Sequence, residues 1–238
     1  LNVTQLTLLI THFQSYFCHL GTWLGLSVDD KTIKIGNLAN VTGEEHFKGT
    51  KGRGPIVTNF INGDDSIESY NNELHKMSQD FGSFNFLSIE IKPDETKSFY
   101  VSNIPQVMEE ISLGFIGLGN SPMSIPFKKV SEGLKEFEEL LKKFKDADKK
   151  DLSEALLNFL KSDKKHFPDD ELEKRRNDSA EKFSSIHIDL HEIHYGTRTR
   201  TIILIDDKHN VDYIEQTMTS LDPKGEWETT HLTIQNKL

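Results

Sequence analysis

Cysteine is almost absent from this 238-residue chain: Cys18 stands alone, so no internal disulfide can form and oxidative stapling is excluded. A reducing compartment, the cytoplasm, is the expected setting. Basic residues are also in short supply. The 28 Lys and Arg against 38 Asp and Glu leave a formal charge of -10, which repels a polyphosphate backbone and excludes nucleic acid as an expected partner. Long apolar runs are missing too: the stretch Leu6 to Ile10 is cut off by Thr11 and His12, far short of the roughly 18 to 20 residues of a membrane-spanning helix. Residues 1–20 contain no Lys or Arg and therefore lack the basic region that opens a secretory signal. They read as a lead segment with no role, followed by a single domain over 21–238.

What is present is a pattern of short strands and amphipathic helices. Gly21 to Leu26 and Thr32 to Gly36 are β-type runs separated by the turn residues Asp29, Asp30 and Lys31. Gly54 to Gly63 carries Pro55 at a first helical position, apolar residues at 56, 57, 60 and 61, and a closing glycine, which predicts a short capped helix. Ser66 caps a second predicted helix through Ile67, Tyr70, Leu74 and Met77, with Gly82 as its stop. Phe84 to Ile91 and Ser98 to Ser102 alternate around a turn at Pro93, Asp94 and Glu95, and Phe115 to Leu118 is a further candidate strand. Two helical stripes follow, Val130 to Phe144 and Leu152 to Leu160, whose Lys-rich and Glu-rich outer faces read as solvated surface. A polar loop is expected at 168–178. Strands are expected at Ser184 to Leu190, Thr199 to Ile205, Val211 to Gln216 and Trp227 to Ile234. Two groups of antiparallel strands with helices between them predict an α+β fold of packed sheets covered by helices, not a parallel βαβ fold.

The densest group of potential ligands runs from His187 through Asp189 and His191 to His194. On a strand, His187, Asp189 and His191 share one face, but strand neighbours point in parallel and need a third donor from elsewhere. Neither a Cys pair nor an HExxH helix accompanies them, so no metal is expected. Covalent haem is excluded by the missing Cys-x-x-Cys-His, leaving these histidines and Met123 as the available axial donors for a loosely held haem. Gly117-Leu-Gly-Asn-Ser-Pro122 lacks the Lys and Ser/Thr of a phosphate loop and reads as a tight turn able to aim the Asn120 amide as an oxyanion-type donor. Arg198, just ahead of an apolar strand, is placed to clamp a carboxylate or acyl carbonyl. Plain turn and strand-edge roles fit both residues equally well.

Gly21-Thr-Trp-Leu-Gly25, Gly36-Asn-Leu-Ala-Asn-Val-Thr-Gly43, Gly52-Arg-Gly54, Phe84-Asn-Phe86, Ser102-Asn103, Gly117-Leu-Gly-Asn120, Tyr195-Gly-Thr-Arg-Thr199, Glu215-Gln-Thr-Met218 and Trp227-Glu-Thr229 follow one another in an order that resembles the transport and Golgi organisation protein 2 family. The resemblance covers Gly21 to Ile234 and implies an αββα sandwich of two antiparallel sheets, like the N-terminal-nucleophile hydrolases. It also implies a part in Golgi organisation and protein secretion, with haem or acyl-CoA lipid handling in cytoplasm and mitochondria. Secretory-pathway proteins are the implied protein partners, and haem enters as a transported ligand instead of a resident cofactor. Family members open with Met-Cys and carry Asn-Arg-Asp-Glu further on; neither stands ahead of Gly21. In the hydrolases a terminal Cys attacks an amide with its own α-amine as base. Cys18 is internal, so no catalytic residue is assigned and a cysteine-type amide hydrolase remains the alternative. The expected function is a binder of a hydrophobic carboxylate in a pocket between the sheets, anchored by Asn40, Asn120 and Arg198 with Trp23 as an aromatic wall.

Overall fold

The structure, a computed structural model, describes residues 5–7, 21–29, 32–44, 51–112, 114–220 and 225–235. They form a mixed fold of antiparallel sheets and five α-helices, distributed over two units: Phe17–Pro126, and Leu1–Tyr16 together with Phe127–Lys237.

In the unit Phe17–Pro126 five strands form a meander, each antiparallel to the next: β2 (Leu24–Val28), β3 (Ile33–Ala39), β4 (Asn85–Lys92), β5 (Glu95–Asn103) and β6 (Gln106–Glu110). Two helices, α1 (Gly54–Asn62) and α2 (Ile67–Lys76), are inserted between β3 and β4. The helix signals behave as their chemistry requires. Pro55 sits in the first turn of α1, and the Ser66 hydroxyl accepts the Ser69 N–H at 3.2 Å to start α2. The Lys34 ammonium donates to the carbonyls of Gly63 and Asp65 at 2.7 and 3.0 Å, just beyond the negative end of α1. Helix α2 ends at Met77 in a 3₁₀ turn over Ser78–Asp80, ahead of the expected stop at Gly82.

Ile56, Val57, Phe60, Ile67 and Leu74 from these helices meet Leu38, Phe86, Phe99 and Val101 on one face of the meander. Each such side chain contributes about 1.5–3 kcal/mol on burial, so this face is the main source of the unit's stability. Gly25 lets α1 lie close to the sheet, since a Cβ there would stand 2.7 Å from Ile61 Cδ1 and 2.8 Å from Val57 Cγ1. Ile33, Ile35, Leu87, Ile91 and Tyr100, on the opposite face, are buried as well. The short strand β6, too polar to stand out as Gln-Val-Met-Glu-Glu, is held by its ladder to β5; residues 115–118 form no strand.

The second unit contains a sheet in the order β1 (Gln5–Thr7), β9 (Thr199–Ile205), β10 (Val211–Met218) and β11 (Trp227–Ile234), so part of the lead segment supplies a strand. Helices α3 (Lys128–Lys143) and α4 (Lys149–Leu160) supply Phe137, Leu152, Leu156, Phe159 and Leu160, which cluster with Ile202, Leu204 and Ile214 of the sheet. Residues 168–178, expected as a loop, contain α5 (Asp170–Arg176) and the start of a 3₁₀ helix. Asp169 explains that helix: its carboxylate accepts the Leu172 N–H at 3.1 Å and the Lys128 N–H at 2.7 Å, serving the starts of α5 and α3 together. The expected strand Ser184 to Leu190 shrinks to β7 (Asp189–Leu190), paired with β8 (Tyr195–Gly196). On α3 the pairs Lys135–Glu132 and Lys142–Glu138, each 2.8 Å, lie on the exposed face and contribute little.

Candidate functional site

Strands β2 to β5 bring Trp23, Asn40, Ser83 and Asn103 to one end of the meander, because each residue flanks or closes its strand at that end. Asn120 reaches the same end from the Gly117 to Pro122 turn. Its side-chain amide donates to the Asn40 carbonyl at 3.0 Å, and its own carbonyl accepts the Thr42 N–H at 2.8 Å. The turn is fixed from below by buried Asn85, whose amide donates to the Gly119 and Ser121 carbonyls at 3.0 and 2.7 Å. Asn85 Oδ1 in turn accepts the Tyr100 hydroxyl at 2.7 Å, and burial raises the pKa of that phenol, keeping it a donor.

One polar atom here is unsatisfied. The side-chain oxygen of Asn40 is closed to solvent and has no hydrogen-bond partner among the described residues. Buried amide oxygens are paired in the large majority of cases, so Asn40 holds binding capacity that the described residues do not use. An Asn amide can turn either its oxygen or its NH₂ toward the same position.

Trp23 is half-buried against the helix-facing core, and its carbonyl accepts the Leu38 N–H at 2.7 Å. Above its ring, 5.9 Å from the centroid, lies the guanidinium of Arg53. Arg53 also donates to the Ser83 carbonyl at 2.7 Å, while the Ser83 hydroxyl donates to the Val41 carbonyl at 3.2 Å. A chain of contacts therefore runs from Trp23 through Arg53 and Ser83 to the Asn40–Asn120 pair. Burial lowers the pKa of Arg53, and no ion pair to it is found among the described residues. Sequence reasoning missed this residue. Its signal was the Gly52-Arg-Gly54 motif: Gly54 allows Gly21 to approach so closely that a Cβ on Gly21 would fall 2.3 Å from Gly54 Cα. Gly82 lies under the guanidinium, where a Cβ would be 3.4 Å from Arg53 Nη1.

Arg198 belongs to the other unit, half-buried ahead of β9, with its carbonyl accepting the Met218 N–H at 2.9 Å. The histidine group does not share a strand face. His187 precedes β7, half-buried and with its pKa lowered, first by desolvation and then by Arg200; His191 lies in a 3₁₀ turn, its Nδ1 3.9 Å from Asp189 Oδ1. Among the described residues no group of three or more His, Cys, Asp or Glu is arranged to hold a metal ion.

Comparison with known proteins gives these motifs a common origin. A sequence model described as Transport and Golgi organisation 2 matches residues 18–220. The chain is 39% identical over 220 residues to Transport and Golgi organization protein 2 of Drosophila melanogaster, covering 89% of this chain and 77% of the fly protein. It is 26% identical over 216 residues to the Bos taurus homolog (88% and 76%), and 26% identical over 215 residues to the Homo sapiens homolog (88% and 76%). Over most of its length, this chain belongs to the transport and Golgi organisation 2 family.

Proposed function

We propose that the protein serves Golgi organisation and secretion by binding a hydrophobic carboxylate, haem or an acyl-CoA, without chemically converting it. The observation that carries the ligand reading is the unpartnered, solvent-closed Asn40 amide oxygen beside Asn120. Turned about, that amide presents an NH₂ to a carboxylate, with Arg53 as the nearby positive charge and Trp23 as a flat apolar wall. Arg198, in the other unit, is proposed as a carboxylate clamp in its own right and is tested by its own variant. The reading places the chain in the cytoplasm, with Golgi or mitochondrial association through secretory-pathway proteins, and gives it the αββα architecture of the N-terminal-nucleophile hydrolases. An antiparallel sheet backed by helices in each unit supports that architecture.

Titration of haemin, followed by absorbance, and of a fluorescent long-chain acyl-CoA tests the proposal. The parent protein is expected to bind at least one of them. Asn120→Ala, Arg53→Ala and Arg198→Ala should each weaken binding roughly tenfold or more, since a charge-assisted hydrogen bond is worth about 1.5–3 kcal/mol. Unchanged affinity in all three variants removes the anchor assignment. Failure of the parent to bind either compound removes the ligand reading.

A further inference from the structure

Arg200 is a buried positive charge with no negative partner among the described residues. It lies in β9, only 7% exposed, and among the described residues no carboxylate acts on it. Its guanidinium stacks on Trp227 at 3.8 Å from the ring centroid. Nη1 is 3.5 Å from Gln216 Oε1 and Nη2 is 3.5 Å from His187 Nδ1, both at the outer limit of a hydrogen bond. Nε is closed to solvent with no partner among the described residues. Glu215, next to Gln216, belongs to the opposite face of β10, where it accepts from Thr201 at 2.9 Å and Tyr213 at 2.5 Å, while Asp189 and Asp163 act on His187 and not on Arg200.

The register shows how these groups converge. Arg200 stands opposite Gln216, and Met218 opposite Trp227, so all four share one face of the sheet. His187 is brought to that face with its backbone fixed on both sides: its N–H donates to the Ser162 carbonyl at 2.8 Å and its carbonyl accepts the Ser185 hydroxyl at 2.6 Å. Partial burial and the neighbouring guanidinium lower the pKa of the imidazole, and because a guanidinium only donates, Nδ1 is the acceptor of that contact. A charge held this way, desolvated, stacked and left without an anion, has the electrostatics of a prepared anion subsite.

We propose that Arg200, His187 and Gln216, beneath Trp227, form a binding subsite for a compact oxyanion, the carboxylate or phosphate group of a ligand. The guanidinium fork meets two oxygens of the anion through its Nε–H and Nη2–H edge. Because Nε is closed to solvent, occupancy requires the Trp227 ring to move aside, and Trp227 opens the otherwise exposed strand β11. The subsite shares no residue with the Asn40–Asn120 group, so either assignment can fail alone.

The chain has two tryptophans, so Trp23→Phe leaves Trp227 as the sole reporter. That variant is titrated with sodium acetate and with inorganic phosphate, with sodium chloride at matched ionic strength as control, reading indole emission and Tm. A saturable emission change and a raised Tm with acetate alone assign a carboxylate, and with phosphate alone a phosphate; a response to both supports an oxyanion site of either kind. The response should vanish in Arg200→Gln, whose Tm without anion should stay level or rise. If that variant does not fold, Arg200→Lys, which keeps the charge and loses the fork, should bind at least tenfold more weakly. An equal response to chloride, no response to either oxyanion, or an unweakened response in the Arg200 variants overturns the proposal.

Discussion

Asn85→Ala is expected to destabilise the meander unit by about 3 kcal/mol, because three buried polar groups lose their partner together. The Asn85 side chain is fully buried and supplies the donors for the Gly119 and Ser121 carbonyls and the acceptor for the Tyr100 hydroxyl. Alanine fills none of these roles. Asn85→Asp should be no milder, since it keeps an acceptor for Tyr100 but loses both donors and adds a buried charge. Urea unfolding of parent and variants measures the effect, and a loss below about 1 kcal/mol would show that the turn is held by something else. The functional corollary is a displaced Asn120, so ligand affinity should fall along with stability.

The second large effect is at Gly21. An alanine Cβ there would stand 2.3 Å from Gly54 Cα and 2.7 Å from Gly54 C, both main-chain atoms that no rotamer change can move. The start of α1 and the strand carrying Trp23 would have to separate. A cost of about 2–3 kcal/mol follows for such overpacking. Gly52→Ala is the matched control, because a Cβ at Gly52 meets nothing within 4 Å. Thermal unfolding should show a clear drop in Tm for Gly21→Ala and almost none for Gly52→Ala. Equal behaviour of the two would mean that the close approach is not needed for folding. Separation of Trp23 from Arg53 also predicts a blue or red shift of Trp23 emission in Gly21→Ala alone.

These two sites show what could and could not be read from the residues. Helix α1 was legible because Pro55, the apolar spacing and Gly63 are local signals, and strands Thr199–Ile205 and Trp227–Ile234 because continuous or alternating β-forming residues fill them. Helix α5 was not: with Leu172 its one buried apolar residue, it depends on Asp169 and on a capping bond shared with distant Lys128. The alternating Ile186, Ile188 and Leu190 looked like a strand, yet Ile186 packs with the α3 and α4 cluster while Ile188 and Leu190 pack in another cluster around Phe127 and Leu172. Burial in two separate clusters satisfied the period, with a ladder only at Asp189 and Leu190. At the candidate site, Asn40, Asn120 and Trp23 stood out through their motifs, but their connection through Ser83 and Arg53 did not. Burial of Arg53 and Arg200 depends on Gly82 and on the register of β10 with β11, which no local pattern contains.

Strand order also sets a timetable for synthesis. Every strand pairing in the meander is between consecutive strands, and its longest excursion is the two-helix insertion between β3 and β4. In the other sheet β9 to β11 also pair consecutively, but β1 stays unpaired until Gln5 meets Ile205, which is made far later in the chain. Nearby pairings form fast and remote closures slowly, so the meander should take shape on the ribosome while β1 waits for β9. Pulsed hydrogen exchange during refolding would show amides of β3 to β5 protected before those of β1. The reverse order would mean that long-range closure nucleates the fold. Destabilising substitutions in the meander then act early, on a chain still emerging, whereas those that disturb the β1–β9 pairing act only once β9 has been made.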